Sequence, residues 1–145
     1  MKLKSALKKK VQLIKEANFF DSKLHKYNCV PVENAESRDY DPKDSLFKWL
    51  EKINELVAIK AKIQRANMPV FEKILRMAEL KGIVRSLVRL DCHTGVLTDE
   101  TYQKTTIYES VISARERDEL IQKYENEIAQ LQDELDEFNL VTELD

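Results

Sequence analysis

Apolar side chains recur at spacings of three and four over most of this chain, and the pattern predicts four helices. The clearest case is the last 33 residues, Ser113 to Asp145, which contain no Gly or Pro. They begin with Ser-Ala-Arg-Glu, a capping box in which Ser113 and Glu116 satisfy each other's exposed backbone donors. A coiled-coil-like seam of about three heptads follows: Ile121, Tyr124, Ile128, Leu131, Leu135 and Phe138. One helix cannot bury this seam alone, so the rest of the chain or a second copy has to cover it.

The first helix is predicted from Lys2 to Phe20, with Lys side chains opposite its apolar stripe. Phe19 and Phe20 are expected to end it with a large core contact. Residues 25–41 have no helical period and form the longest predicted irregular connection. Within them, Cys29 to Val32 is a candidate for a short edge strand, since its proline is tolerated only at a sheet edge. Long irregular connections in compact domains often carry function.

The second helix has a clear start and a clear end. Asp41 caps it, and Pro42 occupies the first helical position. It should stop near Asn67, because Met68 precedes Pro69 and is therefore disfavoured in the helical region.

The third helix is predicted from about Pro69 to Val88. It contains Gly82, which either permits a close helix–helix approach or is a small destabilisation. A turn over residues 91–95 follows. Residues 101–112 are rich in Thr, Ile, Val and Tyr and are expected to be extended. With the preceding Gly-Val-Leu, they predict a small hairpin, to which the Cys29–Val32 strand could add.

These elements predict a mainly α-helical fold in a single domain over residues 1–145. Four helices assemble, and a short β-hairpin precedes the long C-terminal coiled-coil-like helix. We expect a homo-oligomer held by the 113–140 helix, although the pattern does not tell whether its seam pairs within one chain or between chains.

Composition supports a helix-rich protein of cytoplasmic type. The chain has only two Gly and three Pro, with 34% charged residues. No apolar run approaches the ~20 residues that span a bilayer, so no membrane partner is expected. The N-terminus is positively charged but lacks the uninterrupted apolar stretch of a signal peptide.

The charges are polarised along the chain. Residues 1–27 carry eight Lys against Glu16 and Asp21, whereas residues 113–145 carry eleven acids against three basic residues. These poles either favour pairing of the first and last helices or are two solvated faces, because exposed ion pairs contribute only ~0–1 kcal/mol each. The balance argues against a nucleic-acid partner, which would require an uncompensated basic face.

Metal and catalytic chemistry receive little support from the residues. The chain's four Cys and His residues are His25, Cys29, Cys92 and His93. Their spacing is not that of a zinc site, and adjacent Cys92 and His93 are poorly placed to bind one ion. Two reduced cysteines without a disulfide are expected. No phosphate loop, nucleophile elbow or metalloprotease motif is present, so we predict no catalytic residues, no metal and no cofactor.

One arrangement suggests ligand binding. Lys81, Arg85 and Arg89 follow at intervals of four on one face of the third helix. This face leads into His93 and the predicted strand, which supplies two tyrosines and a lysine. Guanidinium groups beside aromatic rings suit an anionic, nucleotide-like ligand. The alternative is a solvated stripe paired with acids, for example those of the last helix. The candidate ligand-binding residues are Lys81, Arg85, Arg89, His93, Tyr102, Lys104 and Tyr108.

Three short segments resemble a family of small bacterial and phage proteins known by the label septicolysin. They are the opening Met-Lys-Leu-Lys-Ser-Ala-Leu, the middle Ile63–Asn67, and the ending Leu135–Leu144. Gln64 and Ala66 depart from the family's middle motif, and Leu140-Val141 replace its Trp-Thr. The resemblance covers nearly the whole chain and implies a mainly helical fold with a small β element and self-association. It supplies no activity.

Three classes of function remain open from the sequence. The first is a non-enzymatic homo-oligomer that captures a small anionic ligand between subunits, which in a phage could act as a sponge for a host nucleotide signal. The second is a structural or protein-interaction module that acts through its charged helices. The third, ranked below these two, is an enzyme that depends on a metal held by the Cys and His residues.

Overall fold

The computed structural model describes all residues from Met1 to Asp145 and confirms the mainly helical fold with a hairpin before the long last helix. Short 3₁₀ segments cover Val32–Ser37 and Met68–Val70. No helix is both long and apolar enough to cross a membrane. The elements are α1 (Leu3–Asn28), α2 (Pro42–Asn67), α3 (Phe71–Val88), β1 (Gly95–Asp99), β2 (Lys104–Tyr108) and α4 (Ala114–Val141).

The chain divides into two compact units. The first unit comprises residues 1–69 and 138–145, and the second unit comprises residues 70–137. The expectation of a single domain stays a prediction. Each unit has its own buried residues, and α4 contributes its last turn to the first unit and the rest of its length to the second.

The first unit is built on α1 and α2, which pack side by side in opposite directions. Residues three and four apart on each helix place their apolar side chains on one face, and the two faces bury each other. At the edge of this contact, the Lys52 ammonium lies 3.3 Å from the Glu16 carboxylate. The buried cluster consists of Leu3, Ala6, Leu13, Leu56, Ile59 and Ile63.

The first helix is longer than predicted. It does not end at Phe20 but continues to Asn28, because Leu24 and Tyr27 extend the half-buried stripe by two turns. Arg38, in the connection to α2, then caps the helix. Its guanidinium donates to the carbonyl oxygens of Tyr27 at 2.7 Å and Asn28 at 3.2 Å, which satisfies acceptors that a helix end leaves free.

The connection contains no strand, so the predicted edge strand at Cys29–Val32 is wrong. The chain turns into the 3₁₀ segment instead, and the only sheet is the hairpin of the second unit. The predicted core role of Phe19 is also wrong, since Phe19 is 44% exposed. Its ring packs edge-on against Tyr40 of the connection, with the centroids 5.8 Å apart.

The two ends of the chain meet in the first unit. The Leu3 amide donates to the Thr142 carbonyl at 2.8 Å, and the Leu144 amide donates to the Met1 carbonyl at 2.8 Å. The Lys2 ammonium lies 3.0 Å from the Glu143 carboxylate and lowers the pKa of that carboxyl. This ion pair joins the basic start of the chain to its acidic end. The helix α1 itself packs mainly on α2 and not on the last helix.

The second unit is built on α3 and α4, which also lie side by side in opposite directions. Val70, Leu80 and Leu135 are buried in it. Lys73 pairs with Glu134, and Arg76 donates to Glu127 at 3.0 Å. Leu135 is the buried member of the predicted α4 seam, and the other seam residues are half-buried.

The hairpin between α3 and α4 confirms the sequence prediction. Its strands pair antiparallel, from Gly95 opposite Tyr108 to Asp99 opposite Lys104. Gly95 has a φ of 120°, a conformation that favours glycine. The Asp99 carboxylate accepts from the Thr101 amide at 2.9 Å and so stabilises the turn.

The predicted helix starts are also present. The Asp41 carboxylate accepts from the Lys43 amide at 3.1 Å, with Pro42 at the first helical position. The Ser113 hydroxyl accepts from the Glu116 amide at 3.1 Å, one of the two hydrogen bonds of the expected capping box.

The α1–α2 contact makes a direct stability prediction. Leu56 is 8% exposed in this contact, whereas Leu50 on the same helix is 49% exposed. We expect Leu56→Ala to lower the free energy of unfolding by about 2–5 kcal/mol, because it removes buried methyl groups and leaves a cavity. Leu50→Ala is the matched control and should cost about 1 kcal/mol or less. Urea unfolding followed by circular dichroism measures both, and equal losses would contradict the assignment of the core.

Candidate anion-binding site

Three cations follow one another at the C-terminal end of α3. Lys81 and Arg85 lie in its last two turns, and Arg89 is the residue that caps it. Their spacing of four residues places them in one row along the helix. All three are exposed. The negative end of the helix dipole favours cations at this location.

No carboxylate lies within 4 Å of any of these three cations, unlike Lys73 and Arg76 earlier on the same helix. The side-chain hydrogen bond found in the row is internal, from Arg89 Nε to the Arg85 carbonyl oxygen at 3.3 Å. The acids of α4 therefore form ion pairs with the first half of α3 and none with the second half.

Open clefts lie on both sides of the Arg85 side chain. One has a volume of about 430 Å³ and is lined by Lys81, Val84 and Arg85 together with Glu125 and Ile128 of α4. The other, of about 690 Å³, lies along the helix itself. Val84 and Arg85 line both clefts, so an apolar surface lies directly beside the cations. The second cleft is lined by Gly82, Val84, Arg85, Val88 and Arg89.

Sequence reasoning missed the residues that α4 contributes to this site. The sequence pattern places Ile128 in the α4 seam, and it does not distinguish Glu125 from the other acids of residues 113–145. Only the register of α4 against α3 brings them beside Lys81 and Arg85, and a one-dimensional pattern carries no signal for that register. Glu125 places one negative charge at the cleft and weakens it for anions.

The predicted hairpin residues form two further groups. At the base of the hairpin, the rings of His93 and Tyr108 pack edge-on with centroids 5.5 Å apart. Lys104 and Tyr108 are on the same face of β2, at its two ends. They are four residues apart, which is about 13 Å along the strand at the usual rise. Tyr102 is in the turn that precedes Lys104 and is exposed. Lys104 and Tyr102 thus mark the tip of the hairpin, away from the His93–Tyr108 pair at its base.

The geometry supports binding chemistry. Lys81, Arg85 and Arg89 supply N–H donors with positive charge, and the adjacent valines supply an apolar surface.

His25 lies 3.3 Å from Asp21, Cys29 is exposed, and Cys92 is half-buried. No group of three or more His, Cys, Asp or Glu side chains is arranged to hold a metal ion.

No protein-family model, curated protein or solved structure matches this chain. The resemblance to the septicolysin-labelled family therefore stays a prediction.

The ion pairs between the first half of α3 and the acids of α4 predict that the stability of the protein falls at low pH. Lys73 lowers the pKa of Glu134 below its ordinary value of 4.5, chiefly through their hydrogen bond. A carboxyl whose pKa is depressed in the folded state contributes stability above its unfolded pKa and loses it as the pH falls through the folded pKa. We therefore expect the melting temperature to fall between pH 5 and pH 3, and Glu134→Gln to make this fall shallower.

The exposed Glu137, one turn further along α4, provides the control. Glu137→Gln should leave the steepness of the acid dependence as in the wild type. Thermal melts at several pH values measure both variants, and an identical pH profile for Glu134→Gln and the wild type would show that the Lys73 pair does not contribute.

Proposed function

We propose that this protein is a non-enzymatic, homo-oligomeric binding protein that captures a small anionic ligand, nucleotide-like in character. One observation carries the proposal. Lys81, Arg85 and Arg89 form a row of cations without carboxylate partners, beside clefts with an apolar lining.

The row suits a ligand with more than one negative charge. A hydrogen bond that involves a charged group contributes about 1.5–3 kcal/mol, roughly twice the contribution of a neutral one. Neighbouring residues at intervals of four lie about 6 Å apart along the helix axis, a spacing that successive phosphates or a phosphate and a carboxylate can reach. Because the guanidinium groups have no internal acid to release, an incoming anion does not have to displace one.

The apolar lining suits the rest of such a ligand. Val84 and Ile128 border the first cleft, and Val88 borders the second. A flat base or ring can lie on these side chains or stack on a guanidinium plane. In a phage, a protein with this chemistry could sequester a host nucleotide signal.

Calorimetry with defined probes tests this function. We expect ATP and inorganic pyrophosphate to bind to the purified full chain and adenosine to bind at least tenfold more weakly, because it lacks the negative charges. Arg85→Gln and Arg89→Gln should each weaken ATP binding at least tenfold, which corresponds to about 1.4 kcal/mol. Glu125→Gln should strengthen it, because it removes the opposing charge from the cleft.

Arg115→Gln is the matched control for charge alone. Arg115 belongs to the same unit but is largely exposed and lies 3.0 Å from Glu119, so its loss should leave ATP binding unchanged. The proposal is wrong if no anionic probe binds. It is also wrong if Arg115→Gln weakens binding as much as Arg85→Gln does, because the attraction would then be a general effect of net charge.

A protein-interaction module is the second candidate, and the apolar surface of α2 favours it. Phe47 and Leu50 on this helix are exposed, and unpartnered apolar side chains of this size are common where proteins associate. Recovery of a stoichiometric protein partner that Phe47→Ser abolishes, from a chain that binds no anion, would favour this candidate.

A further inference from the structure

A separate open cleft lies in the first unit, between α1 and α2. It has a volume of about 520 Å³, within the usual size of small-ligand sites. Intervals of four, three and four place four of its polar lining residues on one side of α1: Ser5, Lys9, Gln12 and Glu16. Leu13, which is only 3% exposed, adds an apolar contact to the lining. The two ends of this cleft differ in charge.

One end is a network of hydrogen bonds that joins the two helices. The Gln12 amide group donates to Glu16 Oε1 at 2.8 Å. The Lys52 ammonium of α2 lies 3.3 Å from Glu16 Oε2 and donates to Glu55 Oε1 at 2.9 Å. Hydrogen bonds from Gln12 and Lys52 lower the pKa of Glu16, so that its carboxyl is ionised at neutral pH. Because two carboxylates share one ammonium, this end is negative, and Glu55 Oε2 is left as a free acceptor.

The other end is cationic, and its groups have no partners. Lys8 and Lys9 are exposed, and neither ammonium has a carboxylate within 4 Å. An acid four residues after Lys8 would form an ordinary helical ion pair, but that position is occupied by the neutral Gln12. Lys9 and Glu16 are seven residues apart, about 10 Å along the helix axis. The cleft therefore presents positive charge at one end and negative charge at the other.

We infer that this cleft binds a short zwitterionic ligand, of the class represented by a tripeptide with free termini. The carboxylate of the ligand accepts from Lys8 and Lys9, and its ammonium donates to Glu55. An extended chain of three residues spans about 10 Å, which matches the separation between the two ends. The side-chain oxygen of Gln12 accepts no hydrogen bond from the chain and is available to a peptide N–H in between.

A ligand with a single charge uses only half of this arrangement. An anion meets the two lysines but faces the carboxylates of Glu16 and Glu55, whereas a cation meets the carboxylates and faces the lysines. Hydrogen bonds to charged groups are the strong ones, so a ligand that makes one at each end is distinguished from its singly charged analogues. The site lies in the first unit and does not rest on the anion capture proposed for α3.

Calorimetry of the full chain with triglycine and two capped forms tests this site. N-acetyltriglycine lacks the ammonium and triglycinamide lacks the carboxylate, so we expect each to bind at least about tenfold more weakly than triglycine. In the double variant Lys8→Gln/Lys9→Gln, the preference for triglycine over triglycinamide should disappear and that over N-acetyltriglycine should remain. Glu55→Gln should have the opposite effect on the two preferences.

Lys60→Gln is the matched control, because Lys60 is an exposed lysine of α2 outside the cleft. It should leave both preferences as in the wild type. The inference is overturned if triglycine gives no binding up to about 10 mM, if the three forms bind equally, or if Lys60→Gln acts like the double lysine variant. Triglycine binding by a chain that binds no ATP would support this cleft and remove only the function proposed for α3.

Discussion

The packing of α3 against α4 within residues 70–137 decides which charges of this protein are free. Leu80 and Leu135 are buried in the unit, and the same register brings Glu134 to Lys73 and Glu127 to Arg76. Towards the hairpin the acids of α4 form no ion pair with the cations of α3, although Glu125 lines the cleft beside Lys81 and Arg85. The boundary between neutralised and uncompensated charge is thus a consequence of helix register.

Local signals explain why so much of the fold was predictable. A capping aspartate followed by proline, a capping serine, and a Thr- and Ile-rich segment after a glycine each depend on neighbouring residues only. The end of α1 has a local and a distant cause. Leu24 and Tyr27 continue the apolar stripe beyond Phe20, whereas the cap on the last carbonyl oxygens comes from Arg38, ten residues further on, and hydrophobic periodicity does not report such a contact.

The candidate site was predictable to the same extent and for the same reason. Intervals of four on a confirmed helix place Lys81, Arg85 and Arg89 in one row, and the hairpin brings His93 to Tyr108. The contribution of Glu125 to the cleft follows from the pairing of two distant helices. The separation of Lys104 from Tyr108 follows from strand geometry, which a list of suitable residue types leaves out.

The second half of α3 departs from several rules of helix stability within a few residues. Like charges at intervals of four are unfavourable by about 0.2–0.5 kcal/mol per pair, and a mid-helix glycine is unfavourable. The helix dipole offsets part of the charge repulsion, but the cations form no ion pair and Gly82 has no close contact. Natural sequences concentrate uncompensated departures of this kind at functional sites. Under the proposed function, an anion beside the arginines offsets the repulsion between them, and this makes the row of cations the part of α3 in which a departure from helix stability and a binding role coincide.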